Sequence, residues 1–127
     1  MKEYEKIAHG VYRIMEKFII KYEPVNVDIA VPDSGIGDGI AGLQIIETPG
    51  HSAGSLSFYH EGKKMLFTGD ALSGDPTLKL PPMAGCSSYE QALSSVKQLT
   101  EFEYDICLVG HGEPHMEMAH SHVKLLI

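Results

Sequence analysis

The chain has 127 residues, enough for one domain with a core of its own. Its composition, 43% apolar and 21% charged, argues against disorder. A formal net charge of −7 argues against nucleic acid as a partner, because nucleic acid needs a cationic footprint.

Two cysteines, Cys86 and Cys107, do not make a disulfide framework, and a reduced cytoplasmic setting is expected. The opening Met-Lys-Glu-Tyr-Glu-Lys has no apolar signal region, and no run approaches membrane-spanning length. No membrane partner is expected.

Residues from about Lys2 to Tyr22 read as a helix. Ile7, Val11, Ile14, Met15, Phe18, Ile19 and Tyr22 fall at three- and four-residue steps, with charged residues between them. Gly10 weakens this helix by roughly 1 kcal/mol relative to alanine, and Pro24 closes it. Val27 to Val31 is a short apolar strand candidate. Pro32-Asp33-Ser34-Gly35 and Gly37-Asp38-Gly39 read as turns. Leu43 to Glu47 is a strand, and the tight Pro49-Gly50 turn after it presents His51. Leu56, Phe58 and His60 alternate with polar or small residues, as in a half-buried strand. Glu61-Gly62 marks a hairpin reversal, with glycine available for a positive φ. A second strand, Lys64 to Thr68, ends at Gly69-Asp70.

From Ala71 to Cys86 the chain is loop-like, with Gly74, Pro76, Pro81, Pro82 and Gly85. It leaves from Asp70 and is expected to wall a site, lined by Leu78, Leu80, Pro82 and Met83. Ser88 with Gln91, or Ser87 with Glu90, fits a capping box that opens a helix over about 88–101. Ala92, Leu93, Val96 and Leu99 form its buried stripe. Tyr104 to Val109 is the next strand, ended by Gly110-His111-Gly112. A last helix is expected over about 115–126, with Met118, Ala119, His122, Val123 and Leu126 near one face.

Three side chains, His51, Asp70 and His111, thus sit at strand ends beside glycines. Imidazole and carboxylate are natural ligands of Zn²⁺, Mn²⁺ or Fe. The other candidates read differently. His115 is a helix-start histidine, with accessory ligation the alternative. His120 and His122 lie two apart on a helix and point to different faces. His9 and His60 read as solvated, Cys86 as a small loop residue and Cys107 as core.

The motifs T-P-G-H-S-A-G-S, F-T-G-D-A-L and G-H-G-E-P, in this order with an amphipathic helix between the last two, resemble the second half of a metallo-β-lactamase superfamily domain. The resemblance runs from about Asp38 to His115. It implies an α/β fold of the α+β type: half of an αββα sandwich, with a mixed, largely antiparallel sheet and helices on one face. It also implies that His51 ligates the first metal of a two-metal site, that Asp70 bridges both metals and is the catalytic residue, and that His111 ligates the second. The implied cofactor is zinc, or manganese or iron. The implied reaction is attack by a metal-activated water on an ester, thioester, lactam or phosphoester. The negative charge speaks against the nuclease branches of the superfamily.

The family's first-half motif, His-x-His-x-Asp-His, is absent, and the expectation is a single partial domain over residues 1–127 that starts too late to hold it. Three readings follow. The chain is one part of a hydrolase completed by a complementary N-terminal half. Or it is a self-sufficient half that pairs as a homodimer, burying the open face of its sheet. Or it is a non-catalytic relative that binds a small molecule or a protein through the same cleft.

Overall fold

A computed structural model describes the backbone of residues 2–8, 11–16 and 37–40 and every residue of 42–127. The chain divides into two compact units, Met1–Val31 and Pro32–Ile127.

In the first unit, β1 (Lys2–Ala8) and β2 (Val11–Glu16) pair antiparallel, from Lys2↔Glu16 to Ala8↔Val11. The helix expected over Lys2–Tyr22 is therefore not formed over Lys2–Ala8 and Val11–Glu16, which are strands. Val11, Tyr12 and Ile14 are β-branched or aromatic residues that suit a pleated surface. In a stretch this short, steps of three and four overlap with steps of two. The end of that expected helix, the Val27–Val31 strand and the 32–35 turn lie outside the described residues.

The second unit is a five-stranded sheet in the order β3 (Gly37–Ile40), β4 (Leu43–Glu47), β5 (Leu56–His60), β6 (Met65–Gly69), β7 (Ile106–Val109). The first four strands run antiparallel to their neighbours, and β7 is parallel to β6. A parallel pair needs a long crossover, and here it carries α1 (Tyr89–Leu99). A second helix, α2 (Ala119–Lys124), follows β7. Ile46, Tyr59, Leu66 and Cys107 from the sheet form one core with Val96 and Leu99 of α1 and Ala119 and Val123 of α2. Both helices therefore cover the same face, as the resemblance implied.

Several local expectations shift. Gly37-Asp38-Gly39 is strand rather than turn, and Gly42 lies in the turn into β4. In the β5–β6 hairpin the left-handed residue is Lys64 (φ 52°), not Gly62. The Lys64 carbonyl accepts from the amides of both Asp105 and Ile106, which ties the hairpin to the start of β7. On β5 the fully covered residues are Ser57 and Tyr59, while Leu56, Phe58 and His60 are half-buried on the other face. Tyr59 reaches the core by donating its hydroxyl to the Glu103 carbonyl at 2.6 Å. His60 is likewise not simply solvated: its Nδ1 accepts from the Lys63 amide. The last helix begins at Ala119 rather than near residue 115. His115 instead exchanges two backbone hydrogen bonds with Cys107, extending the sheet edge.

Cys107 is fully buried, and that burial pushes its thiol up to about 12. Thiolate is the reactive form, so iodoacetamide at mildly alkaline pH is expected to alkylate the partly exposed Cys86 and spare Cys107 until denaturant is added. Peptide mass mapping before and after unfolding checks this.

Candidate metal centre

Strands β4, β6 and β7 run in the same direction, because each antiparallel step is followed by another and the last step is parallel. Their C-terminal ends therefore lie along one edge of the sheet. His51 follows β4, Asp70 follows β6 and His111 follows β7. The three residues expected as ligands are brought together there. His51 Nε2 lies 3.2 Å from Asp70 Oδ2, and His111 Nδ1 lies 2.7 Å from Asp70 Oδ1. An ionised carboxylate only accepts, so His111 donates from Nδ1.

Asp70 is held in place by its backing. Gly110 N donates to the Gly69 carbonyl at 2.8 Å, and a side chain at Gly110 would drive its Cβ into Asp70 Oδ1. Glycine at 110 is thus a requirement of close approach between β7 and the carboxylate. The Ala71 amide closes a turn back to the Thr68 carbonyl, so the backbone on both sides of Asp70 is tied down.

The trio opens into a cleft of ≈ 230 Å³, lined also by Leu72, Ser73, Pro81 and Pro82. The 71–86 loop does wall the site, and Pro82 lines it as expected. Leu78 and Leu80 do not: Leu78 is buried in the core, and Leu80 packs against it. Met83 is 68% exposed in a 3-10 turn, Met83–Gly85. Leu72 and Pro81 take their place. Leu72 follows Asp70 by two residues, a spacing that could have been read as a neighbour of the site.

The remaining histidines sit elsewhere. His115 packs edge-on against His122, with ring centroids 4.8 Å apart. His120 holds the Thr100 carbonyl at 2.8 Å, and its ring lies tilted against Tyr104 with centroids 5.4 Å apart. Cys86 turns its thiol to the Pro82 carbonyl. His9 lies outside the described residues.

The donors fit a metal in type, and the His51–Asp70 pair fits in spacing, whereas His111 and Asp70 stand at hydrogen-bond distance, 2.7 Å. Two ligands at 2.0–2.1 Å from a tetrahedral ion stand about 3.3 Å apart, close to the His51–Asp70 separation. In number they are short. Among the described residues no group of three or more His, Cys, Asp or Glu side chains is placed to hold a metal ion. The geometry shows why: the two imidazoles approach different oxygens of one carboxylate and do not converge on a single point.

Gly110→Ala is expected to displace the Asp70 carboxylate and destabilise the fold by about 1–3 kcal/mol, as overpacking does. Urea unfolding, with the ring resonances of His51 and His111 followed by NMR, reads both effects. His115 is held below its ordinary value of 6.5, first by burial and then by His122, against a backbone hydrogen bond with Glu117. The unfolded chain therefore binds this proton more readily than the fold. The contribution to stability is present above about pH 6.5 and is lost as the pH falls towards the lowered value. The urea midpoint is expected to drop less between about pH 7.5 and about pH 5.5 in His115→Gln than in the wild type.

Comparison with known proteins accords with this geometry. Residues 2–111 match the model of the metallo-beta-lactamase superfamily. The matched stretch begins well before Asp38 and still contains no His-x-His-x-Asp-His. The chain is 31% identical over 90 residues to the probable metallo-hydrolase YqjP of Bacillus subtilis (strain 168), covering 63% of this chain and 27% of that protein. It is similar in structure to the metallo-beta-lactamase family protein TTHA1429 of Thermus thermophilus, with a TM-score of 0.58 and 24% identity over 81% of this chain and 35% of that one. It is similar also to TTHA1623 in a di-iron-bound form, with a TM-score of 0.54 and 25% identity over 69% of this chain and 44% of that one. The chain thus spans less than half the length of these relatives. With its ligand-type side chains gathered at three strand ends and the family match running through all of them, this protein belongs to the metallo-β-lactamase superfamily.

Proposed function

We propose that this chain supplies one side of a two-metal hydrolytic site. The observation that carries the reading is the placement of His51 and His111 on opposite oxygens of Asp70 at the mouth of the cleft. A carboxylate shared in this way could offer one oxygen beside each imidazole to a cation. His51 and Asp70 Oδ2 would hold one ion, and His111 and Asp70 Oδ1 the other. The di-iron form of TTHA1623 and the metallo-hydrolase description of YqjP support metal-dependent hydrolysis. When bound, zinc, manganese or iron there supplies the positive charge that lowers the pKa of water and polarises a scissile carbonyl or phosphoryl oxygen. Asp70 orients both imidazoles and is the residue on which the site turns. Leu72, Pro81 and Pro82 exclude water from the flank of the cleft where a small ester or thioester would lie.

Two donors per ion leave each position short of the three protein ligands usual in catalytic zinc sites. The rest would come from a complementary half or from a second copy of the chain. Part of the sheet face opposite the helices is open to such a partner, although Ile45 and Met65 on that face are buried. Ile45, Phe58, Phe67 and Leu108 stand in register across four strands, on the face opposite the helices. Phe58, Phe67 and Leu108 are half-buried.

The test is zinc titration with elemental analysis, on protein purified without chelator. Weak binding of less than two ions per chain is expected, and Asp70→Ala should abolish it. Hydrolysis of a nitrophenyl ester or a thioester by the chain alone is expected to be slight. Binding that survives Asp70→Ala, or full two-ion occupancy in a monomer, would sink this reading.

A further inference from the structure

We propose that Ser95, with Ser87 and Ser88, is a clamp on the backbone of the His51 turn and positions that imidazole. Three consecutive carbonyls leave β4 after Thr48, and α1 with the residues before it takes all three. Ser95 Oγ donates to the Pro49 carbonyl at 2.6 Å. The Ser88 amide donates to the Gly50 carbonyl at 2.9 Å. Ser87 donates both its amide and its hydroxyl to the His51 carbonyl, each at 3.2 Å. The contact is close enough that a Cβ at Gly50 would strike the backbone of Ala92.

Ser95 is a polar residue in the buried stripe of α1, 4% exposed. A buried hydroxyl needs a partner, and its partner is the turn rather than its own helix. Ser88 adds a second role: its side chain caps α1 by accepting from the Gln91 amide while its own amide is spent on Gly50. On the far flank, Thr48 and Ser57 share a hydrogen bond of 2.9 Å between fully buried hydroxyls. The turn is held from both sides, and it presents the His51 imidazole to Asp70. The wall loop is thereby fastened at both ends, leaving from Asp70 and returning at Ser87 to the His51 carbonyl. Ser95 touches no reacting group, so it is a positioning residue.

This inference rests on the reading of His51 as a metal ligand, but its primary measurement does not. The ring and backbone resonances of His51 are followed by NMR in metal-free protein, and zinc affinity is measured in parallel. In Ser95→Ala the His51 signals are expected to shift and broaden, and zinc to bind about 10- to 100-fold more weakly, as loss of support behind a ligand does. Ser95→Thr keeps the hydroxyl and should restore both. Val96→Ala removes buried volume from the neighbouring helix position without removing a hydrogen bond to the turn, and should leave both readouts at wild-type values. Ser87→Ala, at an exposed site that does not threaten folding, should move His51 in the same direction by less. If the wild type binds no zinc, the metal reading fails while the His51 signals still decide the clamp. Unchanged His51 signals in Ser95→Ala and Ser87→Ala, or an equal change in Val96→Ala, would overturn it.

Discussion

The Asp70 carboxylate is the constraint around which this fold is arranged. It stands at the end of β6 between two imidazoles, one at each oxygen. It can do so because the neighbouring strand end, at Gly110, has no side chain to push it away. The parallel pairing of β6 with β7 delivers His111 to the same edge, and the two antiparallel steps from β4 to β6 deliver His51 there as well. It is this order and direction of strands that gathers the three residues at one edge.

The parallel pair also dictates the long crossover, and the crossover supplies much of the rest. Its first stretch, from Ala71, passes Leu72, Pro81 and Pro82 along the cleft. Its second, α1, fills the core with Val96 and Leu99 and binds the turn that carries His51. One segment therefore serves both packing and chemistry. The division of labour follows the helix surface: the apolar positions meet the sheet, and the serines meet the carbonyls at its edge.

Much of this is legible in the residues. Leu43–Glu47 is strand with the bounds its pattern implies, and Ser88, one of two candidates, caps α1. Elements are misread where two periodicities coincide or where a partner in space decides. The N-terminal stretch reads as a helix when apolar residues are counted at steps of three and four, yet Lys2–Ala8 and Val11–Glu16 are strands that pair with each other. Met83 reads as cleft lining by position but is exposed, whereas Leu78, in the same loop, is drawn into the core. Ser95 gives no local signal, being one of several polar residues of α1, because its partner is 46 residues away.

The three glycine-flanked ligand-type residues at strand ends, and the family they indicate, follow from the order of residues alone, because turn chemistry and strand patterning are local. Which oxygen each imidazole meets, which residues line the cleft and what holds the His51 turn are settled only in three dimensions. Those contacts join positions separated by 19 to 46 residues, and only the order and direction of the strands bring such positions within hydrogen-bonding reach.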